Sequence, residues 1–409
     1  MDTRFDLGAK KAYIDYFIKN IQSDWAKYVY DQHMTTFNGC WEHPGTKSGI
    51  KQFYNEFNSL IKNMRKIGFD NSHPIQINNQ NILINGAHRL TTSICLGILP
   101  KIITQNIPSS KYDYSFFLNR SGFPVLKSNI ADFMALEYLQ LLHKASNMNF
   151  KYSPPENNIR SIILWPSISN HPNLNKIEPI LNKYGTVLYD KKTTITKKGC
   201  GNFIKEVYRG EEWIGGLFPP DGRGGKLPVC WNDTGIIKVL LFYFNDPSKD
   251  IQMKAELRSL FNLGKHSLHI SDHFTDTWRI ATSILNENSL YYINKGTNPS
   301  INTQKRLKLY FEQATDDYAV TSSTILDMFG LRAAGDLDFL VLNSDVEGCH
   351  KGVWLSYYNK HHHEIIYNPS NYFYFNGFKF ATLNVIKQMK LIRNEEKDKE
   401  DIKFINTFF

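Results

Sequence analysis

The chain has no CxxC pair, and its five cysteines (Cys40, Cys95, Cys200, Cys230 and Cys349) lie far apart. That usage argues against a disulfide framework or a zinc finger and for a reducing compartment. Long apolar runs are missing too. The longest, "GIIKVLLFYF" at 235–244, is interrupted by Lys238 and is about half of what a bilayer requires. The opening "MDTRFDLGAKKAY" carries no apolar stretch of the kind a signal peptide needs. The expectation is a cytoplasmic protein with no membrane span. An arginine-rich arm is also absent, so the net charge of +9 does not by itself make nucleic acid the expected partner.

What is present is core-forming material. The 409 residues include 27 Phe and 22 Tyr, and 42% of the chain is hydrophobic, enough to build two or three packed domains. The polar, proline-paired "KYSPPENN" at 151–158 is the best boundary. It divides the chain into expected units 1–150, 151–302 and 303–409. Strand and helix patterns alternate after it ("IRSIILWP", "NLNKIEPILNKYG", "TVLYDKKTTIT"), so the expected class is α/β or α+β, multi-domain. "LFPPDGRGGKLPVCW" at 217–231 reads as a Gly/Pro-rich loop.

The stretch "ILINGAHRLTTSICLG" at 82–97 reads as a short strand, a turn holding Asn85 and Gly86, and a helix opened by His88 and Arg89. Free backbone N–H groups and the helix dipole favour an anion at such a point, and the imidazole and guanidinium add donors. The longer segment, with Gly68, Pro74-Ile75, Asn85-Gly86, His88-Arg89 and Leu96-Gly97 in order, resembles the ParB/sulfiredoxin superfamily. The resemblance covers about a quarter of the chain. It implies that the turn holds nucleotide phosphates, with Gly86 letting the backbone approach and His88 and Arg89 donating. The superfamily includes partition proteins that bind CTP, sulfiredoxins and free serine kinases. Glu42 of "CWEHPGTK" sits where the kinases carry a catalytic glutamate, and a carboxylate can take the proton from an attacking hydroxyl. The turn aspartate of the family is Asn85 here, which can orient a ligand but cannot act as a base.

A second stretch, "DYAVTSSTILDMFGLRAAGDLDFLVLN" at 317–343, reads as a strand, a helix and a strand beginning with Asp336 and Asp338. Period two would put both carboxylates on one face, a spacing suited to a divalent cation. The segment resembles the polymerase β type of nucleotidyltransferase. That resemblance implies roles for Ser322-Ser323, Gly330 and Arg332 around the nucleotide and for Asp336 and Asp338 as Mg²⁺ ligands. The tail "FATLNVIKQMKLIRNEEKDKEDIKFI" would supply Lys387, Lys390, Arg393, Lys397, Asp398 and Asp401 from a helix pair. Ser322 stands where the family has glycine, and Glu364 in "HHHEIIYN" is the candidate third carboxylate. The adjacent His361, His362 and His363, read as a strand, would alternate faces and form no single metal site.

Between these motifs, "LGKHSLHISDHFTD" packs Lys265, His266, His269, Asp272, His273 and Asp276 around a strand end. Its general look resembles enzymes of surface-glycan assembly. "KKTTITKKGCGNF" adds a basic run, with Gly199-Cys200-Gly201 ahead of an expected helix, and Trp213 and Trp231 flank glycine-rich loops. The composite expectation is a kinase. It would use ATP or another nucleoside triphosphate with Mg²⁺ and phosphorylate a hydroxyl of a small-molecule or glycan acceptor in surface-polysaccharide biosynthesis. The alternatives are nucleotidyl transfer to a sugar phosphate and a nucleotide-gated partition protein that binds DNA.

Overall fold

The computed structural model describes residues 4–42, 45, 47–108, 110–148, 158–215, 225–311, 316–342 and 349–408. Most of the 151–158 boundary and residues 217–224 of the Gly/Pro-rich loop lie outside the described residues. The described chain is an α/β arrangement of mixed helices with eleven strands in three small sheets. No described helix is long and apolar enough to cross a membrane.

The first sheet has the order β2-β1-β3, built from β1 (Ile75–Asn78), β2 (Leu83–Asn85) and β3 (Ile102–Gln105). β1 and β2 are an antiparallel hairpin, while β1 and β3 run parallel because the helix Ala87–Leu96 carries the chain back across. The helix Ile50–Ile67 buries Phe53, Phe57, Ile61 and Met64, the i, i+4, i+8, i+11 stripe of an amphipathic helix.

The second sheet, order β5-β6-β4-β7, uses β4 (Ile159–Leu164), β5 (Gly185–Thr194), β6 (Ile236–Phe244) and β7 (Leu268–Ile270). All of its pairings are antiparallel, so the strand–helix alternation in the sequence does not produce parallel crossovers here. The interrupted apolar run of the sequence is β6, an inner strand. Leu240, Phe242 and Phe244 pack with Met253 and Leu257, while Val239 and Leu241 share a core with Phe203 and Ile280 on the opposite face. A strand covered on both faces needs a continuous apolar sequence. Gly199, Cys200 and Gly201 lie inside the helix Lys197–Val207 rather than ahead of it; Thr196 caps that helix, accepting from the Gly199 N–H.

The third sheet, order β10-β11-β8-β9, uses β8 (Tyr318–Thr321), β9 (Asp338–Val341), β10 (Tyr372–Phe375) and β11 (Phe378–Ala381). The three sheets thus fall one in each expected segment, but the cores are not separate. One hydrophobic cluster runs from Phe5 through the helix Ser128–Ser146 to Tyr189 and Ile293. The Phe5 ring stacks on Tyr189 at 5.6 Å, and the Tyr189 hydroxyl donates to Asp132 at 2.8 Å. Gly8 permits the helices Leu7–Lys19 and Ser128–Ser146 to cross closely, since a Cβ there would lie 2.2 Å from the Met134 carbonyl oxygen.

The C-terminal helices Leu383–Arg393 and Glu396–Phe408 are joined by ions rather than by apolar contact alone. The buried Lys390 ammonium bonds Asp398 at 3.1 Å and Asp401 at 2.6 Å, and Arg393 bonds Asp398 at 2.6 Å. Burial works against charge on Asp398, but the bonds from Arg393 and Lys390 prevail and hold its carboxyl down to about 2. A carboxyl held below its unfolded value stabilises above that value and loses the contribution as pH falls through the folded one. Removing the acid leaves Lys390 buried and half-paired, so Asp398→Ala should cost about 3–5 kcal/mol in urea unfolding at neutral pH. The cost should shrink between pH 4 and pH 2; a neutral-pH loss under about 1 kcal/mol would show that the network contributes little.

Candidate functional site

Glu42, Asn85, Gly86, His88 and Arg89 line one cleft of about 700 Å³. Its far wall is the polar face of the helix Ile50–Ile67, which contributes Asn55, Glu56, Ser59 and Asn63. Gly86 ends β2 and caps the helix Ala87–Leu96 with φ +98°, a backbone conformation that L side chains rarely adopt. A Cβ on Gly86 would also come within 3.3 Å of Arg89 Nη2, so the guanidinium lies directly over the glycine. Arg89 Nη1 donates to the His73 carbonyl at 2.6 Å, which fixes the side chain beside the turn. Lys47 closes the cleft with an ammonium 3.1 Å from Glu42 and 2.9 Å from Glu56. Neither Lys47 nor Glu56 carries a motif signal; only the fold brings them to the turn.

Under the turn lies a buried charge cluster. Asp6, fully buried, accepts from Arg4 at 2.7 and 2.8 Å and from Lys10 at 2.6 Å. Arg4 also donates to the Leu83 carbonyl of β2, and Lys10 reaches His33 at 3.5 Å. Burial, with Lys10, His33 and Lys47 nearby, pushes the His88 imidazole well below its usual value, so it is neutral at physiological pH. His88 Nε2 is 2.8 Å from the Tyr30 hydroxyl. With Tyr30 donating, the neutral ring keeps Nδ1–H as its donor.

The C-terminal motif residues are arranged differently from their expected spacing. β9 starts at Asp338, and Asp336 lies in the preceding bend, so the two carboxylates are not alternate residues of one strand. Asp336 is exposed and accepts from the Ser323 hydroxyl at 3.2 Å; Asp338 is half-buried, 3.4 Å from His350. Burial opposes charge on Asp338, yet hydrogen bonds from His350 and Ser322 and the charge of Arg393 hold its carboxyl below the usual range. Arg332 is committed to Asp401, bidentate at 2.5 and 2.8 Å. Lys390, Arg393, Asp398 and Asp401 form the ion network described above, and Lys387 is half-buried on the helix Leu383–Arg393. Glu364 accepts from the Asn368 side-chain amide.

His361, His362 and His363 are not on a strand. They open the helix His362–Tyr367, and their ligating atoms all lie within 4.8 Å of one another, the only such set of three His, Cys, Asp or Glu among the described residues. The expectation that they diverge fails because helical turns, unlike strands, do not alternate faces. Two of these rings already serve the chain: His363 Nδ1 accepts from the Gln22 N–H at 2.9 Å, and His361 Nδ1 from the His363 N–H at 3.3 Å. A second cavity, about 560 Å³, lies between the helix Ile177–Tyr184 and the second sheet, with the Asp190–Lys238 ion pair among its lining residues. Its lining residues come from separate stretches of chain, which leaves no local signature.

No family model, curated protein or solved structure matches the chain. The site is therefore read from its own chemistry. If His88 is held neutral as the geometry requires, its ring resonances should show no titration between about pH 5.5 and 8. An inflection near 6.5 in a ring-proton NMR titration would return His88 to an ordinary, chargeable histidine.

Proposed function

We propose that the chain is a phosphotransferase that moves the γ-phosphate of ATP, or of another nucleoside triphosphate, to an acceptor hydroxyl in the Glu42–Arg89 cleft. The observation that supports this most is the convergence on one cleft of a glycine-opened helix start, two side-chain donors and a carboxylate. In this reading the backbone N–H groups after Gly86, the neutral His88 and the Arg89 fork hold the phosphates. Arg89 supplies a planar, permanently charged donor set that matches a phosphate oxygen pair. Glu42 takes the proton from the acceptor hydroxyl as it attacks. Lys47, which bridges Glu42 and Glu56, is the residue that must move toward phosphate for Glu42 to become available.

Mg²⁺ takes oxygen donors and keeps several waters, using one or two carboxylates together with substrate phosphates. Glu56 on the wall of the cleft, with Asn55, Asn63 and Asn85 beside it, fits that donor preference and leaves Glu42 free as the base. Bound there, the ion would neutralise charge on the transferring phosphates. A sugar or polyol is the acceptor class we propose, because Asn55, Ser59, Asn63 and Asn85 offer hydrogen-bonding groups to its hydroxyls while Phe53, Phe57 and Leu60 offer an apolar surface to its carbon skeleton.

Arg89→Ala should weaken nucleotide binding by about 1.5–3 kcal/mol with the fold intact. Unchanged affinity in calorimetry would remove the turn from the reading. Glu42→Gln should keep nucleotide affinity and lose about 10²–10⁴-fold in turnover, since only proton abstraction is removed. The readout is the fate of labelled ATP over a panel of sugars. Movement of γ-phosphate fits the kinase, and pyrophosphate release would shift the chemistry to the C-terminal motif. Normal turnover in Glu42→Gln would make Glu42 an ordinary exposed acid.

A further inference from the structure

The histidine- and aspartate-rich stretch at 265–276 gains a partner from elsewhere in the chain. Lys226, first residue of the short helix Lys226–Cys230, is only 6% exposed, yet no carboxylate among the described residues bonds it. Its ammonium donates to the Lys265 carbonyl at 3.3 Å and lies 4.6 Å from the centre of the Tyr208 ring. The Tyr208 ring meets His269 at 4.9 Å and Trp213 at 5.0 Å. Cys230 donates to the His266 carbonyl at 3.5 Å and so seats the short helix on the 264–266 turn.

The patch is cationic and incompletely satisfied. Arg258 Nε and His266 Nδ1 are buried without a hydrogen-bond partner among the described residues. Native proteins leave few such atoms, and each calls for a specific cause. Asp272, the acid that follows the strand carrying His269, is bonded to Lys254 at 2.9 Å. Burial, with Lys265 and Arg258 adding like charge, pushes the Lys226 ammonium below its usual value. Burial also lowers His269 to about 3, so it is neutral and adds no charge of its own. A buried ammonium facing other cations destabilises the free protein unless an anion completes the arrangement. Trp213 supplies the second half of a recognition surface. It is 44% exposed, so core packing does not account for it. An exposed indole packed on Tyr208, over whose ring Lys226 lies, is suited to stacking on the ring of an anionic molecule.

We propose that Lys226, Arg258, Lys265 and His266 bind a phosphate monoester, and that Trp213 stacks on the ring of the molecule that carries it. The ligand class is a ring-bearing phosphate monoester, either a sugar phosphate or a nucleoside monophosphate. The patch shares no residue with the Glu42–Arg89 cleft, so the two readings stand or fall separately.

The test uses the full chain and isothermal calorimetry with inorganic phosphate, glucose 1-phosphate and uridine monophosphate. At least one of the two monoesters should bind about tenfold more tightly than inorganic phosphate, and whichever does identifies the source. Lys226→Met should weaken that binding more than about tenfold, the loss expected for a charged hydrogen bond. Trp213→Ala, at an exposed position, should bring the monoester down to the affinity of inorganic phosphate. Lys226→Met should also raise the melting temperature of the ligand-free protein, because it removes an uncompensated buried charge. A lowered melting temperature in that variant would make Lys226 a structural residue and overturn the proposal. So would the absence of monoester binding at millimolar concentration, or binding unchanged in both variants.

Discussion

Asp6 is the group on which the N-terminal half depends. It is fully buried and holds two cations, Arg4 and Lys10, while Arg4 reaches on to β2. One acid facing two bases leaves a net positive charge beneath the strand that delivers Asn85 and Gly86. Desolvation makes any such cluster costly, and only its full set of bonds keeps the cost bearable. Two consequences follow for the cleft. The surplus charge makes the turn above it more favourable for an anion. The same charge, with burial, keeps His88 neutral, so the turn gains a donor that does not compete with Arg89 for counter-charge.

A second constraint is the sharing of cores. Asp132, on the helix Ser128–Ser146, accepts from Tyr189 and Lys191 of β5, and burial pushes its carboxyl up to about 6 despite those partners. Tyr16 donates to the Tyr367 carbonyl at 2.6 Å, and Gln22 to His363. The N-terminal helices are therefore wedged between the other two sheets rather than appended to them. Contacts of this kind span sequence separations of hundreds of residues, and no local pattern announces them. A linker motif such as "KYSPPENN" signals where elements break, not whether the packed units on either side share a core.

Legibility in the sequence followed the range of the interactions. The strand β2, the turn at Asn85-Gly86 and the helix Ala87–Leu96 with its Gly97 stop are readable because apolar spacing and glycine conformation are local properties. The gathering of Asn85, Gly86, His88 and Arg89 was readable for the same reason. Lys47, Glu56 and Tyr30 were not, since each reaches the cleft from a different element. The error at His361–His363 has a local cause: "HHHEIIYN" has β-branched and aromatic residues, but His361 caps a helix start by accepting the His363 N–H. Capping by a histidine is outside the usual Ser, Thr, Asp and Asn vocabulary. Sheet direction in the middle segment was lost because alternation of strand and helix does not specify how strands pair.

The two phosphate-type turns differ at the residue that decides backbone approach. At Gly86, φ +98° comes without strain, and the nearest atoms to a Cβ there would be Arg89 Nη2 and Ile75. At Ser322 the chain adopts φ +61° with a side chain present, a conformation that costs about 1–3 kcal/mol and persists only when its surroundings hold it. Those surroundings are identifiable: the Ser322 hydroxyl bonds Asp338, and Asp338 faces His350. The acid that would hold a cation is thus partly used to retain the strained turn, and Arg332, which would face a nucleotide, is held by Asp401. Each of these groups has a protein partner that a ligand would have to displace. In the N-terminal cleft the ion pairs to be displaced are those of Lys47 with Glu42 and Glu56, which a phosphate would itself favour by attracting the lysine, and Arg89 bonds a backbone carbonyl rather than an acid. That asymmetry favours the first turn over the second for the chemistry proposed above.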